Sequence, residues 1–264
     1  MATLDRLRVY PVKALDGIDV ESSAFTSGGT LVHDREFALY DNEGAVINGK
    51  RTAAVHTLRT SFEPDSYTLT VETPDGARRR FDLDAESDRR DAASWFGEYF
   101  GLDVTIERDR SLGYVDRRSM GPSVISTATI ETVADWFGDL SVESVRRRLR
   151  ANVEIGGVDP FWEDRFVGAD APAFEVDGVR FEGVTPCGRC IVPARDPDSG
   201  EETPDFREQF ARKRRETFPD WADETAFDHY YTLMTITRVP EANREGTLRV
   251  GGSVDTVDRG QGSD

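Results

Sequence analysis

Cysteine, lysine and histidine are all scarce in this 264-residue chain. It has two cysteines, three lysines (Lys13, Lys50 and Lys213) and three histidines (His33, His56 and His229). Two cysteines cannot make a disulfide-rich scaffold or a four-cysteine iron–sulfur site. Scattered histidines with no ligand spacing leave a structural zinc site short of its usual four ligands, unless two subunits share it. No apolar run approaches the roughly 20 residues that span a bilayer, and the start, MATLDRLRVYPVK, lacks a basic and apolar leader. A cytoplasmic location is therefore expected. The net charge of −17 is spread along the chain, which argues against nucleic acid and anionic membrane as partners. Dispersed Asp and Glu with so little Lys read as adaptation to a salt-rich, halophilic cytosol, where ions screen self-repulsion. In such a chain, any gathering of cations needs an explanation, and an anionic ligand supplies one.

With 38% hydrophobic and 31% charged residues, the chain is globular. Short alternating segments dominate its first part: LDRLRVY, IDVESSAF, a hairpin around Asn42-Glu43-Gly44, then HTLRTSF, YTLTVET and RRRFDLD, with a turn at Pro74-Asp75-Gly76. Within DAASWFGEYFG, Trp95, Phe96, Tyr99 and Phe100 recur at helical spacing and Gly101 suits a C-cap, so the stripe reads as core packing. The strand DVTIER and an Arg-rich loop from Asp109 to Pro122 follow. The second part opens with SVIS and a helix from Thr127 to Phe137, with Ser126 as N-cap, then a helix from Val142 to Leu149. A strand in ANVEIGG, a hairpin turning at Asp177-Gly178, a helix from Thr203 to about Phe218, and strands in HYYTLMTITRV and GTLRVGG complete it. The expected class is mostly β with a few helices (α+β). The expected divisions are 1–118, 119–256 and a loose tail, 257–264, with polar character from Asp255 onward.

The cysteines sit in Thr185-Pro186-Cys187-Gly188-Arg189-Cys190. Spacing leaves four readings open: a zinc site, a redox dithiol, inert buried thiols, or a lone thiolate on a metal whose other ligands arrive with a cofactor. A redox dithiol should open a helix, whose dipole activates the thiol, but Ile191-Val192-Pro193 follows and reads as strand. Soft thiolates suit the fourth reading, and Arg189 beside the pair would favour ionised sulfur.

Cys187 to Cys190 with Asp196-Pro197-Asp198-Ser199-Gly200 resembles the signature of MOSC domains, the C-terminal modules of molybdenum-cofactor sulfurases. Tyr10-Pro11-Val12-Lys13 with Asp34-Arg35-Glu36-Phe37 resembles the N-terminal β-barrel domain that accompanies them. Arg150-Ala151-Asn152-Val153, Gly157 and Pro160-Phe161-Trp162-Glu163-Asp164 resemble the stretch before the cysteine. The blocks cover nearly the whole chain in the family's order, and the subgroup is similar to the mitochondrial amidoxime-reducing component and its bacterial relatives. The resemblance implies an N-terminal β-barrel-like domain followed by a MOSC-type β-barrel domain. It implies that Cys187 ligates molybdenum in a molybdopterin-type cofactor and that N-hydroxylated compounds such as amidoximes and hydroxylamines are reduced; pyridoxal phosphate binding is a further domain-level expectation. A pterin phosphate needs fixed donors, and Lys13, Arg35, Ser126, Thr127, Arg148, Arg150 and Asn152 are the candidates, the helix after Ser126 adding its N-terminal dipole. Arg146 and Arg147 read as a solvated helix face, and Cys190 has no assigned role. Ala14 stands where the family often has a hydroxyl residue. Without further cysteines for a cluster, electrons must come from a separate ferredoxin or flavoprotein. The alternative is a sulfur or cofactor carrier with no turnover of its own.

Overall fold

A computed structural model describes residues 1–258. In chain order the elements are β1 (Thr3–Val9), β2 (Ile18–Asp19), β3 (Ser22–Ala24), β4 (Phe37–Asp41), β5 (Arg59–Glu63), β6 (Thr68–Glu72), β7 (Arg78–Asp82), α1 (Glu86–Phe100), β8 (Val104–Arg108) and β9 (Ser123–Ser126). Then come α2 (Thr127–Phe137), α3 (Val142–Leu149), β10 (Val153–Gly156), β11 (Ala173–Val176), β12 (Val179–Gly188), α4 (Phe206–Glu216), β13 (Thr232–Arg238), β14 (Thr247–Arg249) and β15 (Val254–Val257). The mostly-β class with a few helices is what the patterning predicts. Among the described residues, no helix is long and apolar enough to cross a membrane.

Alternation in the first part folds β5, β6 and β7 into an antiparallel meander. The Asn42–Gly44 turn returns only as far as a Tyr40–Val46 bridge. β4 instead pairs along its length with β8, from Phe37–Arg108 to Asp41–Val104. Helix α1 closes this unit: Phe96 is fully buried, and Trp95 stacks on Tyr99 with centroids 5.6 Å apart. Its aromatic stripe packs with Phe37, Leu69, Val71 and Leu83, so it is core, as its spacing implies.

The second part is organised by an eight-stranded sheet in the order β15-β11-β12-β13-β9-β10-β1-β2. β9 and β10 run parallel, joined through α2 and α3. The row curls towards closure. Thr3 bridges Ser253, Leu4 N–H donates to Gly252 O at 2.9 Å, and Val254 N–H donates to Ala2 O at 3.1 Å. Curling removes exposed edges, the usual hazard of a long sheet.

β1, from the first part of the chain, pairs with β10, and its Leu4, Leu7 and Val9 pack with Val153, Ile155 and Phe181. Two expectations are corrected here. The polar stretch from Asp255 is not loose at its start, because β15 pairs with β11; residues 259–264 of the expected tail lie outside the described residues. Val192–Ala194 is a short 3₁₀ turn, not a strand.

Candidate functional site

β12 ends at a register irregularity that aims Cys187. Pro186 pairs with Thr235 and Gly188 with Thr232, so Leu233 and Met234 both stand opposite Cys187. Met234 takes the extra residue at φ 63°. Such a bulge bends the strand and re-aims its side chains. Both cysteines are free and half-buried. Arg189 is tied back by its backbone N–H to Tyr231 O at 2.9 Å. Its guanidinium donates to Cys187 Sγ at 3.1 Å, to Leu149 O at 2.9 Å and to Met234 Sδ at 3.5 Å. The sulfur thus has a fixed cationic donor.

Cys187 lines a cavity of about 290 Å³ between the meander side of the molecule and the large sheet. Nine Lys and Arg side chains line it against three carboxylates, Asp16, Asp34 and Asp116. That excess of six positive charges sits in a molecule of net charge −17. Six of the residues expected to bind a cofactor meet here: Lys13, Arg35, Arg148, Arg150, Asn152 and Cys187.

Their engagements differ. Lys13 Nζ donates to Tyr114 O at 2.7 Å and pairs with Asp116 at 2.5 Å. Arg35 pairs with Asp34 and lies over the Tyr10 ring, 4.8 Å from its centroid. Arg148 is spent on Pro193 O at 2.9 Å and Arg195 O at 2.7 Å, so it braces the wall. Asn152 is likewise committed: its Oδ1 accepts from Ser123 N–H and Oγ–H, and its Nδ2 donates to Arg8 O, linking β10 to β9 and β1. Arg150 caps α3 at φ 58° and lies over Tyr10 at 4.1 Å. It has no carboxylate within 4 Å among the described residues. Burial lowers its pKa, Tyr10 offsets part of that, and neighbouring Arg35 lowers it further. This is a desolvated cation waiting for an anion.

Ser126 and Thr127 are not in the cavity. Ser126 is fully buried and caps α2 by accepting from Thr129 N–H at 3.0 Å, while its own N–H donates to Glu163 Oε2 at 3.1 Å. Thr129 Oγ1 donates to the same oxygen at 3.2 Å. An internal carboxyl group thus sits at the positive end of α2, away from the cavity lining. Burial, then Asp164, push the Glu163 pKa up to about 8. Thr127 reaches only Asp5, at 3.5 Å.

Sequence reasoning missed other lining residues. Arg147, read as a solvated face, faces the cavity and reaches Asp198 at 2.5 Å and Pro197 O at 2.9 Å. Arg146 is not solvated either, but pairs with Glu154 at 2.9 Å. Lys50, His56, Arg117 and Met234 also line the cavity, from loops and a bulge with no periodic signal. The buried His56 Nε2 makes no hydrogen bond within normal geometry among the described residues, and a Cβ on Gly49 would lie 2.3 Å from it. Burial, then Arg150 and Arg195, hold the His56 pKa below its ordinary value.

Among the described residues, no group of three or more His, Cys, Asp or Glu could hold a metal ion.

Fold and cavity together define a β-rich protein with a thiol-bearing, cation-lined pocket between its two halves. The chain belongs to the MOSC family: the MOSC N-terminal beta barrel domain matches residues 1–140 and the MOSC domain residues 120–255. It is similar to "Molybdenum cofactor sulfurase" of Oryza sativa subsp. japonica, at 24% identity over 247 residues, covering 75% of this chain and 29% of that protein. A second sulfurase, from Caenorhabditis briggsae, is 28% identical over 250 residues, covering 86% of this chain and 34% of that protein. "Mitochondrial amidoxime reducing component 2" of Macaca fascicularis is 19% identical over 239 residues, covering 76% of this chain and 68% of that protein. The chain spans about a third of the length of these two sulfurases.

Proposed function

We propose that the cavity holds a pterin-type molybdenum cofactor, with the Cys187 thiolate as the protein's ligand to the metal, and that the protein reduces N-hydroxylated compounds with electrons from a separate ferredoxin or flavoprotein. The observation that carries this reading is one cavity lined by both Cys187 and Arg150, a half-buried cation with no carboxylate within 4 Å among the described residues. The residues fit such a group: one soft donor for the metal, and free positive charge for a phosphate. The names of the relatives agree with it.

Arg150 would hold the phosphate, with Lys13 and Arg35 joining it by exchanging their pairings with Asp116 and Asp34. Arg148 and Asn152 would keep those groups in position through the backbone atoms they bind. Arg189 would fix the direction of the sulfur. When bound, such a cofactor supplies two-electron redox chemistry at its metal. The overall reaction takes two electrons and two protons, breaks the N–O bond, and releases the oxygen as water.

Metal analysis tests the reading on protein made in a molybdenum-cofactor-competent host and purified in high salt. Wild type is expected to retain molybdenum and, given a reduced donor, to turn over benzamidoxime. Cys187→Ser is expected to lose most of the metal; equal molybdenum in the two proteins overturns the ligand assignment.

The similarity to named sulfurases, with Cys190 on the same wall, favours a second reading: a carrier of sulfur or cofactor without turnover. Such a protein would retain or transfer its cargo yet fail to reduce benzamidoxime with any donor. Zinc in place of molybdenum would point instead to a metal site shared between subunits.

A further inference from the structure

Three of the nine cations on the cavity wall, Arg147, Arg148 and Arg195, are paired with carboxylates just outside the lining, Asp198, Asp196 and Glu202. The wall's own carboxylates are already committed: Asp34 to Arg35, Asp116 to Lys13, and Asp16 to Thr60 N–H at 2.9 Å and Arg147 at 3.7 Å. Four of the nine cations have no carboxylate within 4 Å among the described residues: Lys50, Arg117, Arg150 and Arg189. Arg189 is engaged with sulfur and a carbonyl, and Arg150 rests on Tyr10.

Lys50 and Arg117 are different. Both are exposed, yet both line the cavity, so they stand at its mouth. They come from separate loops, one between β4 and β5 and the other between β8 and β9. The exposed Asp116 lines the same mouth but is paired with Lys13, so Lys50 and Arg117 are the cations there without a carboxylate within 4 Å among the described residues. Like charges gathered around a concave site repel one another unless an anion joins them, and they draw anions in from solution.

Resting on the reductase reading above, we propose that the substrate carries an anionic substituent, a carboxylate or a phosphate, remote from its N–O bond, and that Lys50 and Arg117 bind it at the cavity mouth. The substituent orients the substrate, leaving the N-hydroxylated end to point inward towards Cys187. Lys50 and Arg117 are specificity residues; they do not act on the bond that breaks.

The test compares benzamidoxime with 4-carboxybenzamidoxime on the holoenzyme, in wild type, Lys50→Ala, Arg117→Ala and the double variant. Wild type is expected to prefer the carboxylate in kcat/KM by roughly tenfold, through KM, and the preference is expected to shrink as salt rises. In the double variant the ratio should fall to about one. A ratio near one in wild type, or a preference unchanged in the double variant, overturns the proposal. The same cations could instead hold a second, nucleotide phosphate of the cofactor. In that case the double variant would lose nucleotide from the extracted cofactor while keeping its substrate ratio, which also overturns the proposal. Calorimetric binding of the two compounds separates this proposal from the reading beneath it. If neither compound turns over but the carboxylate still binds more tightly in a Lys50- and Arg117-dependent way, the reductase reading fails and the anion site stands.

Discussion

The guanidinium of Arg150 lies 4.1 Å from the centre of the buried Tyr10 ring, joining the end of α3 to the end of β1. The tyrosine in turn donates from Oη to Ala151 O at 3.2 Å, so the two halves meet through neighbouring residues of one short segment. Arg150 holds this place at φ 58°, a conformation glycine adopts without penalty and other residues adopt at a cost. A strained, partly desolvated cation without a carboxylate is poor design for stability and good design for catching an anion.

Arg150→Gly should therefore separate the two purposes. Cofactor-free protein is expected to gain about 1 kcal/mol from relief of the left-handed backbone, less what the lost ring contact contributed. Cofactor retention should fall at least tenfold. Thermal melts of cofactor-free protein and molybdenum content of loaded protein check the two halves; a variant both less stable and fully loaded contradicts them.

Arg214 and Asp164 form a fully buried ion pair beneath the β13 side of the sheet, with Arg214 also over the rings of Phe161 and Phe218. Arg214→Met leaves the carboxylate without its partner and should cost roughly 3–5 kcal/mol. Chemical denaturation measures it. A loss below 1 kcal/mol would mean that Asp164 takes up a proton at little cost.

Glu163 carries a pH dependence with a definite sign. Its pKa in the folded chain is about 8 against an ordinary 4.5, so the folded form holds a proton that the unfolded form has released. The associated stability is complete below about pH 4.5 and is lost as pH rises through 8. Glu163→Gln keeps an oxygen for Ser126 N–H and Thr129 Oγ–H but cannot titrate. The slope of stability against pH over that window should be flatter in the variant; an unchanged slope assigns it to other groups.

Asp198 pairs with Arg59 and with Arg147, bridging the Asp196–Gly200 loop to β5 across the cavity's edge. The site is half-exposed, so Asp198→Asn should cost about 1 kcal/mol or less, and more at low salt than at high. Melting temperatures across a salt series check this; a loss that does not vary with salt points to the hydrogen bonds, not the charge.

Much of the fold follows from local pattern. Alternation specifies β5 to β7, the spacing of Trp95, Phe96, Tyr99 and Phe100 specifies α1, and Ser126 and Gly138 bound α2 where capping chemistry puts them. The Asn42–Gly44 turn forms, with Gly44 N–H donating to Asp41 O and Ile47 N–H to Leu39 O, but its return is short, while the other edge of β4 pairs along its length with β8, a partner far off in the chain that no local pattern shows. The loop-rich stretch near residue 118 marks where the chain changes character, but the placement of β1 in the larger core has no local signal, because it depends on pairing with the distant β10.

The site was half legible. The family resemblance singled out Lys13, Arg35, Arg150 and Cys187 as candidates, and residue types agree with it, since few residues can hold a metal or a phosphate and a chain this acidic uses cations sparingly. Only the tertiary structure could decide which of them keep free charge. Ser126 turned out to face a buried carboxyl group, Arg148 and Asn152 their own backbone, and Lys50 and Arg117 the cavity mouth. Sequence sets the chemistry each side chain brings. Whether that chemistry is spent on a neighbour depends on contacts between segments far apart in the chain, and only folding creates those.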